Sequence, residues 1–228
     1  RRHNSMLTQL SAVYAAGSIT PVALRRELRE LGVGRTVSLY GSTEAGRCAE
    51  RVLDDDDVTN LGPVVSGTQL QIVDEDGIEV APGKPGFVRY KRAYQAVEYL
   101  NDPETTERTF RDGYFHTGDR GFISVVGDLV LMGRATDIVN AGGVKVDLSE
   151  IGNFAGAHSG VVDVAAFVYS DSNQVDQLAL AVHMDPTCNL EGLASELVKQ
   201  FGSLAPKVLV RLPQIPRNAA GKIDRDEL

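Results

Sequence analysis

The chain has 228 residues, 43% apolar and 24% charged, enough for one large or two modest globular domains with a buried core. A formal net charge of −8 argues against bulk attraction to nucleic acid or anionic lipid, and no apolar run reaches the roughly 18–20 residues that span a bilayer. Two cysteines, Cys48 and Cys188, are too few for a disulfide framework or a zinc site and suit a reducing cytoplasm.

The start, Arg1-Arg2-His3-Asn4, lacks a methionine and a signal peptide and reads as a chain entered in mid-sequence. Thr20 as cap, Pro21 at the first position and Gly32 as a stop predict a helix over 21–31. A strand over 36–39 then runs into Tyr40-Gly41-Ser42-Thr43-Glu44. The aspartates at 54–57 read as a solvated loop, although four carboxylates could also attract a cation. Strands follow over 68–73 and 87–90, and a hairpin over 122–125 and 129–132 turns at Gly127-Asp128. This stretch suggests a small barrel or sandwich.

Beyond Gly133-Arg134 the pattern changes. Asp147 and Glu150 make a capping-box-like start for a helix over 148–157, followed by strands over 161–169 and 177–184. Leu190, Leu193, Leu197 and Phe201 share one face of a helix over 190–201, a stripe best read as core. A strand over 208–212 precedes a polar tail. A domain boundary is expected near residues 135–137, dividing 1–135 from 136–228, the second part being a unit of α+β type.

Four segments carry candidate chemistry. Thr43 and Glu44 at a strand end place a hydroxyl and a hard carboxylate oxygen where a phosphate and Mg²⁺ could sit, and Gly41 would let the backbone approach a ligand; the plain alternative is a polar turn. In Tyr114-Phe115-His116-Thr117-Gly118-Asp119, an aspartate after a tight turn could accept from a vicinal diol, but Thr-Gly-Asp is also a common turn. Arg134, followed by Gly142-Gly143, suits anion recognition beside a mobile loop. Lys222, in Asn218-Ala219-Ala220-Gly221-Lys222-Ile223-Asp224-Arg225, sits on a glycine-containing loop and in isolation would pass for surface decoration.

Taken together and in this order, these segments resemble the successive carboxy-terminal signatures of the adenylate-forming ligase superfamily, which includes acyl- and aryl-CoA synthetases, luciferase and peptide-synthetase adenylation domains. The resemblance runs from about Leu10 to the end. It implies a mixed α+β chain: the strand-rich end of a large AMP-binding domain, a distorted barrel, followed by a small mobile domain. It further implies ATP-dependent activation of a carboxylic acid, with coenzyme A or a carrier protein's pantetheine arm accepting the acyl group. By this resemblance Tyr40 lies against adenine, within a binding segment of Tyr40, Gly41, Ser42 and Thr43. Thr43 meets the α-phosphate, Glu44 holds Mg²⁺, Asp119 grips the ribose and Arg134 assists. Lys222 bridges the carboxylate and α-phosphate, Gly17 and Ser18 flank the adenine and acyl pockets, and Gly142-Gly143 faces the thiol step.

The sequence departs from the family pattern in several places. Thr136 stands at the hinge position that usually carries Asp or Lys, and Ala16 replaces a frequent glycine. Gly152-Asn153 stands where a second acidic residue is common. No Gly-rich phosphate loop occurs in the 228 residues, so the expectation is a fragment whose partner is an amino-terminal lobe of the same enzyme, inactive alone; a natural remnant is the alternative. A non-catalytic nucleotide- or partner-binding module, and an acidic structural domain with accidental motifs, are the rival functions. Neither nucleic acid nor a membrane span is expected.

Overall fold

The structure is a computed structural model and describes residues 10–55, 57–141, 144–170, 176–186, 188–219 and 221–228. These form a strand-rich α+β chain. It divides into two compact units. The first takes in the described residues up to Thr20 and Arg29–Ala135; the second takes in Pro21–Leu28 and Thr136–Leu228. The helix α1, Val22–Glu30, is thereby shared between them, a grouping that its local sequence does not signal.

In the first unit, β1 (Val13–Ala16) pairs in parallel with β2 (Thr36–Ser42), which turns back into antiparallel β3 (Gly46–Val52). A second, antiparallel sheet runs in the order β4 (Asn60–Pro63), β9 (Asp128–Arg134), β8 (Tyr114–Ile123), β6 (Gly86–Arg92), β5 (Thr68–Val73), with the short β7 (Phe110–Arg111) also on β8. Cys48, Ala49, Ile72, Val88, Tyr90, Phe115 and Leu129 meet in its core. The strand pattern at 68–73 is reproduced to the residue. The helix α2 (Pro103–Thr109) escapes a search for apolar periodicity because none of its residues is buried. Its trace in the sequence is Asp102, whose carboxylate caps the helix by accepting from the Thr105 N–H at 3.0 Å, followed by Pro103.

The Thr117-Gly118-Asp119 turn expected from sequence is instead a bulge inside β8. Arg89 pairs with His116 and Phe87 with Arg120, so three residues of β8 oppose Val88 alone. Gly118 takes φ +75°, and the Thr117 hydroxyl donates to the Val88 carbonyl at 3.0 Å, satisfying an acceptor that the interrupted ladder leaves. The aspartate run is a loop built on side-chain acceptors. Arg51 pairs with Asp55, and Asp57 accepts from the Thr59 and Asn60 N–H groups at 2.8 and 3.2 Å; Asp56 lies outside the described residues.

The main segment of the second unit begins within a 3-10 turn at Ala135–Asp137, followed by the hairpin β10 (Ile138–Ala141) and β11 (Val144–Asp147). The helix α3 (Leu148–Gly156) follows, capped by Asp147 accepting from the Ser149 N–H at 2.8 Å. Then come β12 (Val161–Ser170), β13 (Asp176–Met184), the helix α4 (Leu190–Phe201) and β14 (Val208–Arg211). In the three-stranded sheet β12 is antiparallel and β14 parallel to β13.

Strand periodicity of two gives this sheet two apolar faces. Ala166, Leu178, Leu180 and Val182 pack with Ile151, Leu193 and Leu197 of the helices. Ala165, Phe167, Ala179 and Ala181 lie on the other face with Ile215, Ile223 and Leu228 of the carboxy-terminal tail. The α4 stripe is therefore core, as its spacing indicates. The tail, polar as it reads, is sewn onto a sheet.

Candidate functional site

Because β1 and β2 run in parallel, with Ala16 opposite Leu39, their carboxyl ends open at the same edge. Gly17 and Ser18 follow one end, and Tyr40 to Glu44 form the other. Such an edge is where α/β sheets bind ligands, because strand ends there leave groups for a ligand rather than for another strand. Thr43 and Glu44 lie in the turn that joins β2 to β3, with Thr43 exposed and Glu44 half-buried. At Gly41 the strand pairing itself requires a glycine. A Cβ there would lie 2.4 Å from the Gly46 carbonyl oxygen, so the close approach it permits is to the neighbouring strand.

Two tyrosines tie this edge to the rest of the unit. The Tyr40 hydroxyl donates to Asp119 Oδ2 at 2.6 Å, and Asp119 Oδ1 lies 3.2 Å from Arg134 Nε. Asp119 and Arg134 are directly opposite in the β8–β9 ladder, which aims both side chains to one face. The bulge adds a further contact: the Asp119 N–H donates to the Thr117 hydroxyl at 3.0 Å. Asp119 is 9% exposed, whereas the Arg134 side chain is 50% exposed. Each carboxylate oxygen can accept two hydrogen bonds, so the clamp retains lone pairs for further donors.

The second tyrosine, Tyr99, donates to Glu44 Oε1 at 2.7 Å while the Ala96 N–H donates to the Glu44 carbonyl at 2.6 Å. The Tyr99 ring packs against Phe110 at 5.4 Å, and its N–H donates to the Thr106 hydroxyl of α2. Sequence reasoning missed Tyr99, which lies 55 residues from Glu44 with no local signal linking the two. Ser42 is fixed as well. Its Oγ accepts from the Ala45 N–H at 3.1 Å and lies 3.2 Å from the Tyr90 hydroxyl, which donates to the Gly46 carbonyl at 2.8 Å.

Burial, above all, keeps these phenols protonated beyond their ordinary range. Burial, then the charge and hydrogen bond of Asp119, push Tyr40 well above its ordinary range. Burial, then the Glu44 hydrogen bond and charge, push Tyr99 up to about 12; burial does the same for Tyr90. The linkage sign follows. Unfolding lets these tyrosines ionise from their ordinary 10.0, so the folded protein holds more protons between pH 10 and about 12. Their contribution to stability is complete below pH 10 and is lost as pH rises through the folded values. The urea midpoint of the chain is expected to fall over that window, and Tyr99→Phe should lessen the slope. A midpoint flat from pH 10 to 12 would contradict the assignment.

Lys222 sits in the second unit on a closed loop. The Asn218 N–H donates to the Lys222 carbonyl at 2.8 Å, the Lys222 N–H returns to Asn218 Oδ1 at 3.1 Å, and the Gly221 N–H donates to the Asn218 carbonyl at 2.8 Å. Gly221 takes φ +77°, where a side chain would be strained. The Lys222 side chain is exposed. The structure thus brings Tyr40, Asp119 and Arg134 into contact, with Gly41, Ser42, Thr43 and Glu44 continuing from Tyr40 and Gly17 and Ser18 at the same sheet edge. Lys222 stands in the other unit, while Gly142 and Gly143 lie outside the described residues. Among the described residues no group of three or more His, Cys, Asp or Glu side chains is placed to hold a metal ion.

Residues 1–100 match the AMP-binding enzyme family. The chain is 30% identical over 221 residues to the 2-hydroxy-7-methoxy-5-methyl-1-naphthoate–CoA ligase of Streptomyces carzinostaticus, covering 93% of this chain and 39% of that protein. The chain belongs to the adenylate-forming ligase superfamily. Among solved structures, an ATP-bound RpMatB-BxBclM chimera superposes with a TM-score of 0.78 at 25% identity, covering 99% of this chain and 49% of that one. The anthranilate CoA ligase AuaEII, in complex with anthranoyl-AMP, shares the fold with a TM-score of 0.80 at 22% identity, over 99% of this chain and 47% of its own. The chain thus spans about two fifths of that curated relative and about half of these solved structures.

Proposed function

We propose that this chain is the carboxy-terminal half of an ATP-dependent acid–thiol ligase of the acyl- or aryl-CoA synthetase type. Residues 1–135 would end its large AMP-binding domain and residues 136–228 form its small mobile domain, completed by an amino-terminal lobe that supplies the phosphate loop and most of the acid pocket. The observation that carries the reading is the clamp in which Asp119 holds both Tyr40 and Arg134, Tyr40 lying on the strand that leads into Thr43 and Glu44. In this reading Asp119 uses its remaining lone pairs on the ribose hydroxyls and Tyr40 borders adenine. Arg134 steadies ribose and phosphate, and Thr43 meets the α-phosphate. Gly17 and Ser18 wall the adenine and acyl pockets.

Glu44 suits Mg²⁺ by its chemistry: Tyr99 fixes one carboxylate oxygen, and Mg²⁺ commonly takes one or two carboxylates with phosphate oxygens and water. When bound there, the ion would offset phosphate charge. Lys222 would carry its positive charge to the oxygens shared by carboxylate and α-phosphate as they react, where fixed charge lowers a barrier most. The small domain would then turn about Thr136 and bring the Gly142-Gly143 face to the thiol step. Coenzyme A is the preferred acceptor because the relative of Streptomyces carzinostaticus is a CoA ligase; a carrier-protein pantetheine arm is the second reading. An aromatic acid is the first substrate class to test, because that relative acts on a naphthoate, and the cytoplasm, where ATP and coenzyme A are available, is the proposed location.

The test is acid-dependent ATP–pyrophosphate exchange with a panel of aryl and alkyl acids. The purified 228-residue chain should give none, whereas the chain joined to its amino-terminal lobe should give exchange with at least one acid. Robust exchange by the chain alone would contradict the need for a second lobe. Nucleotide binding with no exchange by the completed protein would instead favour a non-catalytic module.

A further inference from the structure

We infer that Arg225 is a positioning residue that fastens the Lys222 loop to the turn at the start of the second unit. The Arg225 guanidinium reaches Asp137 Oδ1 at 3.1 Å through one nitrogen and the Ala166 carbonyl of β12 at 3.2 Å through another. The other oxygen of Asp137 accepts from the Ser149 hydroxyl at 2.9 Å, so the carboxylate is held by two elements. The pair joins positions 88 residues apart, and the Asp137 side chain is only 13% exposed. Asp137 closes the 3-10 turn Ala135–Asp137 that follows Arg134, while Arg225 lies three residues after Lys222. At the loop's other end, Arg217 grips Asp163 with two nitrogens and donates to the Gly221 carbonyl at 2.8 Å. A planar guanidinium with several donors suits such multi-point fastening, which a lysine can reproduce only in part.

This assignment rests on the ligase reading for its catalytic consequence but not for its structural one, so two measurements separate them. In the 228-residue chain, hydrogen exchange of the Asn218, Gly221 and Lys222 amides should quicken about tenfold in Arg225→Ala and Asp137→Asn, with the α4 amides unchanged as the control for folding. In the chain joined to its amino-terminal lobe, Arg225→Ala should slow acyl-AMP formation about 10- to 100-fold, the usual cost of misplacing a reacting group by about an ångström. Arg225→Lys should recover part of that loss, and Arg225→Ala should add little on top of Lys222→Ala. Unchanged exchange in the loop overturns the inference, and so does an Arg225→Ala effect that adds fully to that of Lys222→Ala. If Lys222→Ala leaves adenylation intact, the ligase reading fails instead, and the exchange result alone decides whether the clamp orders the loop.

Discussion

Asp119→Ala is expected to lower the stability of the chain by about 1–3 kcal/mol and to weaken nucleotide binding about 10²- to 10⁴-fold. The two effects have separate causes. The Tyr40 hydroxyl is fixed at 2.6 Å by Asp119, and removing that acceptor leaves a buried donor without its partner, at a cost of about 1–3 kcal/mol. Loss of the Arg134 contact contributes little to stability, because the Arg134 side chain is half exposed and solvent screens the pair. Tyr40→Phe removes the orphaned donor, so the double variant Tyr40→Phe/Asp119→Ala should be less destabilised than the sum of the single changes. Binding suffers through lost charge-assisted bonds to the ribose, each worth about 1.5–3 kcal/mol. Urea unfolding of the chain tests the first effect, and ATP titration of the lobe-completed protein tests the second. Additive stability losses would contradict the clamp.

What the sequence reveals depends on how far apart the interacting residues lie. Leu190–Phe201 and Thr68–Val73 are legible because apolar spacing and strand composition are local properties. The strand β1 is hard to find: Val13–Ala16 is short, half alanine, and pairs in parallel with a strand some twenty residues on, so no hairpin turn announces it. The bulge at Thr117-Gly118-Asp119 looks like a turn because its residues are turn formers, and only the register against β6 shows that the strand continues through it. For the site, Tyr40, Glu44, Asp119 and Arg134 stand out through the order of the motifs. Their partners do not: Tyr99 reaches Glu44, and Arg225 reaches Asp137, only once the chain has folded. Gly41 carries a restriction that the sequence does not announce, since a side chain there would meet the Gly46 carbonyl of the neighbouring strand.

The largest functional effect should follow from an exposed candidate, Lys222. Lys222→Ala, in the chain joined to its amino-terminal lobe, is expected to slow acyl-AMP formation by about 10²–10³-fold, the usual cost of losing one preorganised contact to developing charge. Folding should be untouched, because the Lys222 side chain is exposed and the loop is closed by backbone and Asn218. Thiolysis of preformed acyl-AMP should change far less, since the domain would by then have turned the loop away. Bulky substitutions at Gly142 or Gly143 should do the reverse, and Thr136→Pro, by fixing φ, should uncouple the halves. The decisive measurement is single-turnover kinetics of each half-reaction for Lys222→Ala, with free acid and ATP in one arm and synthetic acyl-AMP with thiol in the other. A loss confined to adenylation is the predicted result; equal slowing of both halves, or of neither, contradicts an alternating ligase in which Lys222 serves only the first step.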